Sequence, residues 1–193
     1  VVLRACAPWT REFPGGTRVR LLHPEDLAGA AAGELPEGMN EWSFVFLLEG
    51  PAEGGASPAR PERGEAAGGR PGRRFRILLS GDLERPREPA LLRSLGAAGP
   101  VTVAQLAHHG SRTAGSQAWW GALRPLAGTI SVGAGNSYGL PHRETLDAAA
   151  RSGAVVLRTD RHGVIKLALD DARIEVRTER RPPPACPRPP PVL

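Results

Sequence analysis

Val101–Ser111 reads VTVAQLAHHGS, an apolar run that stops abruptly at two histidines, a glycine and a serine. Val101, Val103, Leu106 and Ala107 read as a buried strand of a layered α/β sheet, and His108, His109, Gly110 and Ser111 fall where that strand passes into a loop. Open α/β sheets place their chemistry beyond the carboxyl ends of their strands, so this boundary is the first place to look for function. The same grammar occurs one strand earlier, where Arg76–Leu79 runs into Ser80, Gly81 and Asp82. Asp82 and His109 stand 27 positions apart, room for one helix and a return strand. Two neighbouring strand ends can therefore carry a carboxylate and an imidazole to one metal ion.

Outward from this pair, Glu88–Leu95 predicts a short helix with Leu91, Leu92 and Leu95 on one face. Ser116 reads as the N-cap of a second helix reaching Leu123, whose Trp119 and Trp120 are expected in the core rather than as a stacking surface for bases. Thr129–Val132 predicts a strand, Gly133–Gly139 a glycine-rich turn, His142–Arg151 a helix and Val155–Leu157 a further strand. Arg158–Gly163 reads as a hairpin turn into Val164–Leu169, and Arg173–Val176 as the last strand. On the amino-terminal side, VVLRAC predicts a strand, Trp9 to Gly16 a loop, and Thr17–Leu22 a second strand closed by His23-Pro24, with His23 a loop residue. Asn40–Leu48 predicts a central strand, too continuously apolar for a one-sided sheet, with Asn40 and Ser43 at its entrance.

Pro51–Gly72 is low in complexity, and its Gly, Ala, Pro, Glu and Arg cannot bury enough apolar surface to order themselves, so a disordered loop insertion between two strands is expected. From Glu179 to Leu193 the chain predicts a disordered Pro/Arg tail, which leaves residues 1–178 as one domain. The net charge of +5 tempts a nucleic-acid reading. Residues 51–74 and 179–193 each carry +2 of it, so the part expected to fold holds about +1 and no preformed basic groove. Cys6 and Cys186 make neither a disulfide framework nor a zinc knuckle. No apolar run is long enough to span a membrane. The chain starts at Val1, its only methionine is Met39, and it reads as a fragment of something longer.

A strand-end aspartate with a downstream histidine suits divalent Zn or Mn, because a carboxylate can bridge two ions and an imidazole can ligate one. A catalytic zinc takes three protein ligands and an open position, so the pair is an incomplete set. Asn40-Glu41-Trp42-Ser43, Leu79-Ser80-Gly81-Asp82 and His108-His109-Gly110-Ser111-Arg112-Thr113 occur in this order, followed by Asn136-Ser137-Tyr138-Gly139-Leu140-Pro141-His142 and Arg158-Thr159-Asp160-Arg161-His162-Gly163. Together they resemble the metallo-β-lactamase-like domain of ComEC competence proteins, over roughly Cys6 to Leu169. The resemblance implies an αββα sandwich, of which this chain holds the C-terminal half to two-thirds. The family's His-x-His-x-Asp-His motif is missing.

The resemblance also implies a role in natural transformation, with a metal-dependent phosphodiesterase or nuclease acting on the DNA strand that is not imported. Asp82 would be the bridging ligand and His109 a terminal ligand, with His108 the alternative, in a site of two Zn or Mn ions. Asn136 and His142 are the catalytic candidates, His142 standing in the turn where Leu140 replaces a family histidine. Asn40, Ser43, Ser111, Tyr138 and Asp160 would shape the pocket or fix its loops. The implied partners are single-stranded DNA or DNA ends, a transmembrane channel in the same polypeptide and other competence proteins. The implied place is the periplasmic side of the inner membrane. A non-catalytic docking module of the channel and a general hydrolase of the same fold remain open beside this reading.

Overall fold

A computed structural model of the chain describes residues 9–22, 43–50, 75–96, 100–169 and 174–180. Asn40, His23, both cysteines, the expected strand at the amino terminus, the low-complexity stretch and the chain after Arg180 lie outside the described residues.

Seven strands form one mixed sheet in simple chain order: β1 (Trp9–Glu12), β2 (Arg18–Leu22), β3 (Val45–Glu49), β4 (Arg76–Leu79), β5 (Val103–Gln105), β6 (Ala127–Ile130) and β7 (Val155–Arg158). From β1 to β4 the neighbours are antiparallel; from β4 to β7 they are parallel. Each parallel step needs a crossover. Helices α1 (Glu88–Leu95), α2 (Gln117–Leu123) and α3 (Arg143–Arg151) supply the three. A helical turn, α4 (Thr159–His162), follows β7, and β8 (Ile165–Leu169) pairs with β9 (Ile174–Thr178) in a separate two-stranded sheet. The protein is thus mixed α/β.

The helices close one face of the sheet. Leu78, Ala104 and Gly128 lie in register across β4, β5 and β6, and Leu78 and Ala104 share a core with Leu91, Leu95, Trp119, Trp120 and Ala149. Both tryptophans are fully buried, as their spacing predicts. Gly128 makes room for Leu106 and Trp120: a Cβ there would lie 2.8 Å from a Leu106 methyl and 3.4 Å from the Trp120 ring. Helix α1 turns Ala90, Leu91 and Leu95 inward and stops at Gly96, which takes φ +60°. Helix α2 starts as the sequence predicts, with Ser116 Oγ accepting the Trp119 amide at 3.1 Å. The buried Glu88 carboxylate accepts the Ser116 amide at 3.1 Å, joining the starts of α1 and α2.

Several elements depart from the sequence reading. Trp9–Glu12, expected as a loop, is the edge strand β1, held by the antiparallel pairing Trp9↔Leu21 to Glu12↔Arg18. The central strand begins at Val45, later than expected, and is covered on one side: Val45 and Leu47 are buried, whereas Phe46 and Leu48 are half-buried and Phe44 just before it is exposed. The segment 158–163 is no hairpin turn, because β7 lies in the large sheet and β8 pairs with β9. Side chains fold it into a helical turn instead. His162 Nδ1 lies 2.9 Å from the Arg158 amide and 2.8 Å from the Arg158 carbonyl. Thr159 Oγ1 donates to the Val132 carbonyl at 2.8 Å and accepts the Val132 amide at 2.7 Å.

Just past Thr178 the Glu179 amide donates to Val164 O (3.0 Å) and the Arg180 amide to His162 O (2.9 Å). At the other junction, β3 and β4 pair antiparallel and the Gly50 amide donates to Phe75 O at 2.9 Å. The low-complexity stretch is therefore spliced between two strands of a hairpin.

Candidate functional site

Parallel strands deliver their carboxyl ends to one edge of the sheet. Here β4 leads to Asp82, β5 to His108 and His109, β6 to the 131–141 loop and β7 to Asp160. The first two loops are bolted together at their base. Ser80, fully buried, donates its hydroxyl to Gln105 O at 2.9 Å, and the His108 amide donates to Gly81 O at 3.0 Å. From β3's entrance, Ser43 Oγ accepts the Asp82 amide at 3.0 Å, so Ser43 fixes the carboxylate-bearing turn.

His108 and His109 both adopt left-handed backbone, with φ 49° and 54°. Such conformations are uncommon outside glycine and persist where neighbours over-determine them. Their rings then go to different partners. His108 Nδ1 lies 3.2 Å from Glu84 Oε1, which also accepts the Thr113 hydroxyl at 3.2 Å. His109 Nε2 faces Asp82, 3.9 Å from Oδ1, while its Nδ1 is 2.7 Å from the Ser131 carbonyl. A carbonyl only accepts, so Nδ1 carries a proton, and Nε2 is the ring nitrogen left to face Asp82. With Nε2 unprotonated, two acceptors face each other at this half-exposed edge, an arrangement that a cation between them stabilises.

A divalent metal fits that gap. Zinc bonds to histidine nitrogen and carboxylate oxygen run roughly 2.0–2.2 Å, so two atoms 3.9 Å apart reach one ion. The bond from Nδ1 to a backbone carbonyl is also the support that metal-binding histidines usually have. The set is short by one: among the described residues no group of three or more His, Cys, Asp or Glu side chains gathers to hold a metal.

The other candidate residues hold the scaffold of this edge. Asn136 clamps its own loop, its Nδ2 donating to Gly133 O (3.1 Å) and Leu140 O (2.7 Å) and its Oδ1 accepting the Leu140 amide (3.0 Å). His142 caps α3 by position, its amide donating to Gly110 O at 2.9 Å. Its ring is turned to Arg112: Nδ1 accepts the Arg112 amide at 3.1 Å and Nε2 lies 3.0 Å from the guanidinium. Ser111 is buried, its carbonyl accepting the Thr145 hydroxyl at 2.8 Å and its own hydroxyl meeting Thr113 Oγ1 at 2.9 Å. Asp160 forms a two-pronged pair with Arg158, at 3.0 and 2.5 Å, and this hydrogen-bonded guanidinium holds its carboxyl below the ordinary 3.8. Tyr138 is exposed and lines a cavity of about 310 Å³ that also touches His109, Val132 and Leu140.

Gly110 locks the two sides together. It takes φ +83°, and a Cβ there would lie 2.5 Å from Pro141 Cβ. Sequence reasoning missed Ser131, Glu84, Thr113 and Arg112. Ser131 acts through its backbone carbonyl, which leaves no trace in residue type. Glu84, two positions after Asp82, was visible as a second acid on the same turn.

The chain is similar to two longer proteins. Over 104 residues, 54% of this chain, it is 31% identical to Recombination protein 2 of Haemophilus influenzae. Over the same length it is 29% identical to Competence protein ComA of Neisseria gonorrhoeae. The chain matches 13% and 15% of the length of these relatives. No family model matches the chain, and no solved structure matches it.

Proposed function

We propose that this chain is part of a DNA-uptake protein of natural transformation and that the β4–β5 edge is one side of a metal-dependent phosphodiesterase site. The observation that carries the site is the facing of Asp82 and His109, 3.9 Å apart, with His109 Nδ1 tied to the Ser131 carbonyl so that Nε2 is the nitrogen turned to Asp82. The similarity to a recombination protein and a competence protein supports the setting.

In this reading the fold is the later part of a metallo-β-lactamase-like αββα sandwich, and the missing metal ligands come from outside the described residues. Zn or Mn supplies Lewis-acid stabilisation of charge on a phosphoryl group. The chain's own residues do the rest. Asp82 is presented on a turn fixed by Ser43, and His109 is oriented by Ser131. Arg112, exposed three residues beyond His109 and anchored by His142, is the cation placed to meet a phosphate. Single-stranded DNA or DNA ends are the substrate class, and a transmembrane channel in the same polypeptide and other competence proteins are the partners. The domain works on the periplasmic side of the inner membrane. Among the described residues no helix is long and apolar enough to cross a membrane.

A non-catalytic docking module is the second reading, favoured by the two-ligand set. Hydrolysis of end-labelled single-stranded DNA with Mn or Zn separates the two. The phosphodiesterase reading expects cleavage that Asp82→Ala and His109→Ala abolish; cleavage indifferent to both variants, or none from a protein that also carries the missing ligands, contradicts it.

A further inference from the structure

Tyr138 is the chain's single tyrosine, and it is 80% exposed. An aromatic ring left in water at a loop tip gives up its burial energy, so its surroundings matter. The loop that carries it is fixed at several points. Asn136 staples Gly133 to Leu140, Pro141 seats against Gly110, and Thr159 holds Val132 by two hydrogen bonds. Among the described residues the Tyr138 hydroxyl makes no hydrogen bond that would explain the ring as a structural tie. Beside it lies the cavity of about 310 Å³, walled by Val132, Gly133 and Leu140 and ending at His109. Arg112, three residues past His109, is held by His142, and among the described residues no carboxylate pairs with its guanidinium.

From these features we infer that Tyr138 is the stacking platform for one unpaired nucleobase of the substrate, seated flat on the ring and over Val132 and Leu140. This rests on the DNA reading above and narrows it. A base inside a duplex has both faces covered by its neighbours, so only a single strand or a frayed end can use the platform. Stacking of a base on an aromatic side chain is sequence-tolerant, because every base has a π-face. The nucleotide's phosphate then falls towards His109, which lines the same cavity.

The test titrates the purified chain with a short fluorescent deoxyadenylate oligonucleotide, the same strand carrying an abasic residue, and the duplex. Tyr138→Ala is expected to weaken single-strand binding about tenfold, in line with the roughly 1–3 kcal/mol lost on alanine substitution at such contacts. Tyr138→Phe and Tyr138→Trp keep the affinity, and neither Tyr138→Ala nor the abasic residue lowers duplex binding. Because the chain has one tyrosine, selective ring labelling gives one set of resonances, expected to move upfield when the oligonucleotide binds. Single-strand binding with Tyr138→Ala equal to wild type and unmoved ring resonances overturns the stacking role and leaves the DNA reading standing. Wild type that binds neither strand form removes the DNA reading and the platform together.

Discussion

The antiparallel and parallel halves of the sheet are built from similar apolar strands but are finished differently. In β3 the buried positions alternate, Val45 and Leu47 in, Phe46 and Leu48 half out. The parallel strands β5 and β6 instead bury neighbours in sequence, Val103 with Ala104 and Ala127 with Gly128. The antiparallel half returns the chain on itself and needs cover on one face. The parallel half needs a helix at every step, and in exchange points all its strand ends one way. The candidate site residues Asp82, His108 and His109 follow strands of that second half. The antiparallel half contributes one buttress, Ser43, to the turn that carries Asp82.

The sharpest way to break this contrast is to remove one aromatic residue from each half. Trp120→Ala, at the fully buried centre of the helix-covered face, is expected to cost about 3–5 kcal/mol. Phe44→Ala, at the exposed entrance of β3, is expected to cost within about 0.5 kcal/mol. Urea denaturation of the two variants measures the difference, and comparable losses would contradict the difference in cover between the two positions.

A smaller effect probes the joint between the parallel-edge loops. Gly110→Ala forces an alanine into φ +83° against Pro141, for about 1–3 kcal/mol of lost stability. Gly121→Ala, whose Cβ meets nothing within 4 Å, is the control and should be neutral or slightly stabilising. Equal stabilities by thermal melting would show that the 131–141 loop is not locked against His109.

The smallest effect concerns pH. The Asp160 carboxyl sits below its ordinary value when folded, through its bond to Arg158. Its contribution is therefore present above about pH 4 and lost as pH falls through the folded value. Asp160→Asn is expected to lower stability at neutral pH by on the order of 1 kcal/mol or less, with the gap to wild type closing in acid. A gap that widens on acidification would contradict the pairing.

How much of this was legible depends on which forces set each element. Helices α1 and α2 were readable to the residue because their leucine spacing, the Ser116 cap and the Gly96 stop are local signals. The 27-residue interval from Asp82 to His109 likewise foretold two adjacent strand ends. The edge strand β1 was not readable, since WTRE gains its strand character from pairing with β2. Nor was the turn at Thr159–His162, where side-chain bonds to Val132 and Arg158 override a hairpin-like sequence. At the site, residue types pointed to Asp82 and the histidine pair. The division of labour between His108 and His109 came from two left-handed residues and a backbone carbonyl, which a sequence does not display.

The central claim is that the ends of β4 and β5 make a cation site, and metal content tests it most directly. A protein that also carries the missing ligands is loaded with Mn or Zn, freed of excess and measured by elemental analysis beside its Asp82→Ala, His109→Ala and His108→Ala variants. Metal is expected to stay with wild type, to be lost from the Asp82 and His109 variants, and to be largely kept by His108→Ala, whose ring lies against Glu84. Wild type that holds no more metal than the Asp82 and His109 variants, with all four proteins folded, would contradict it.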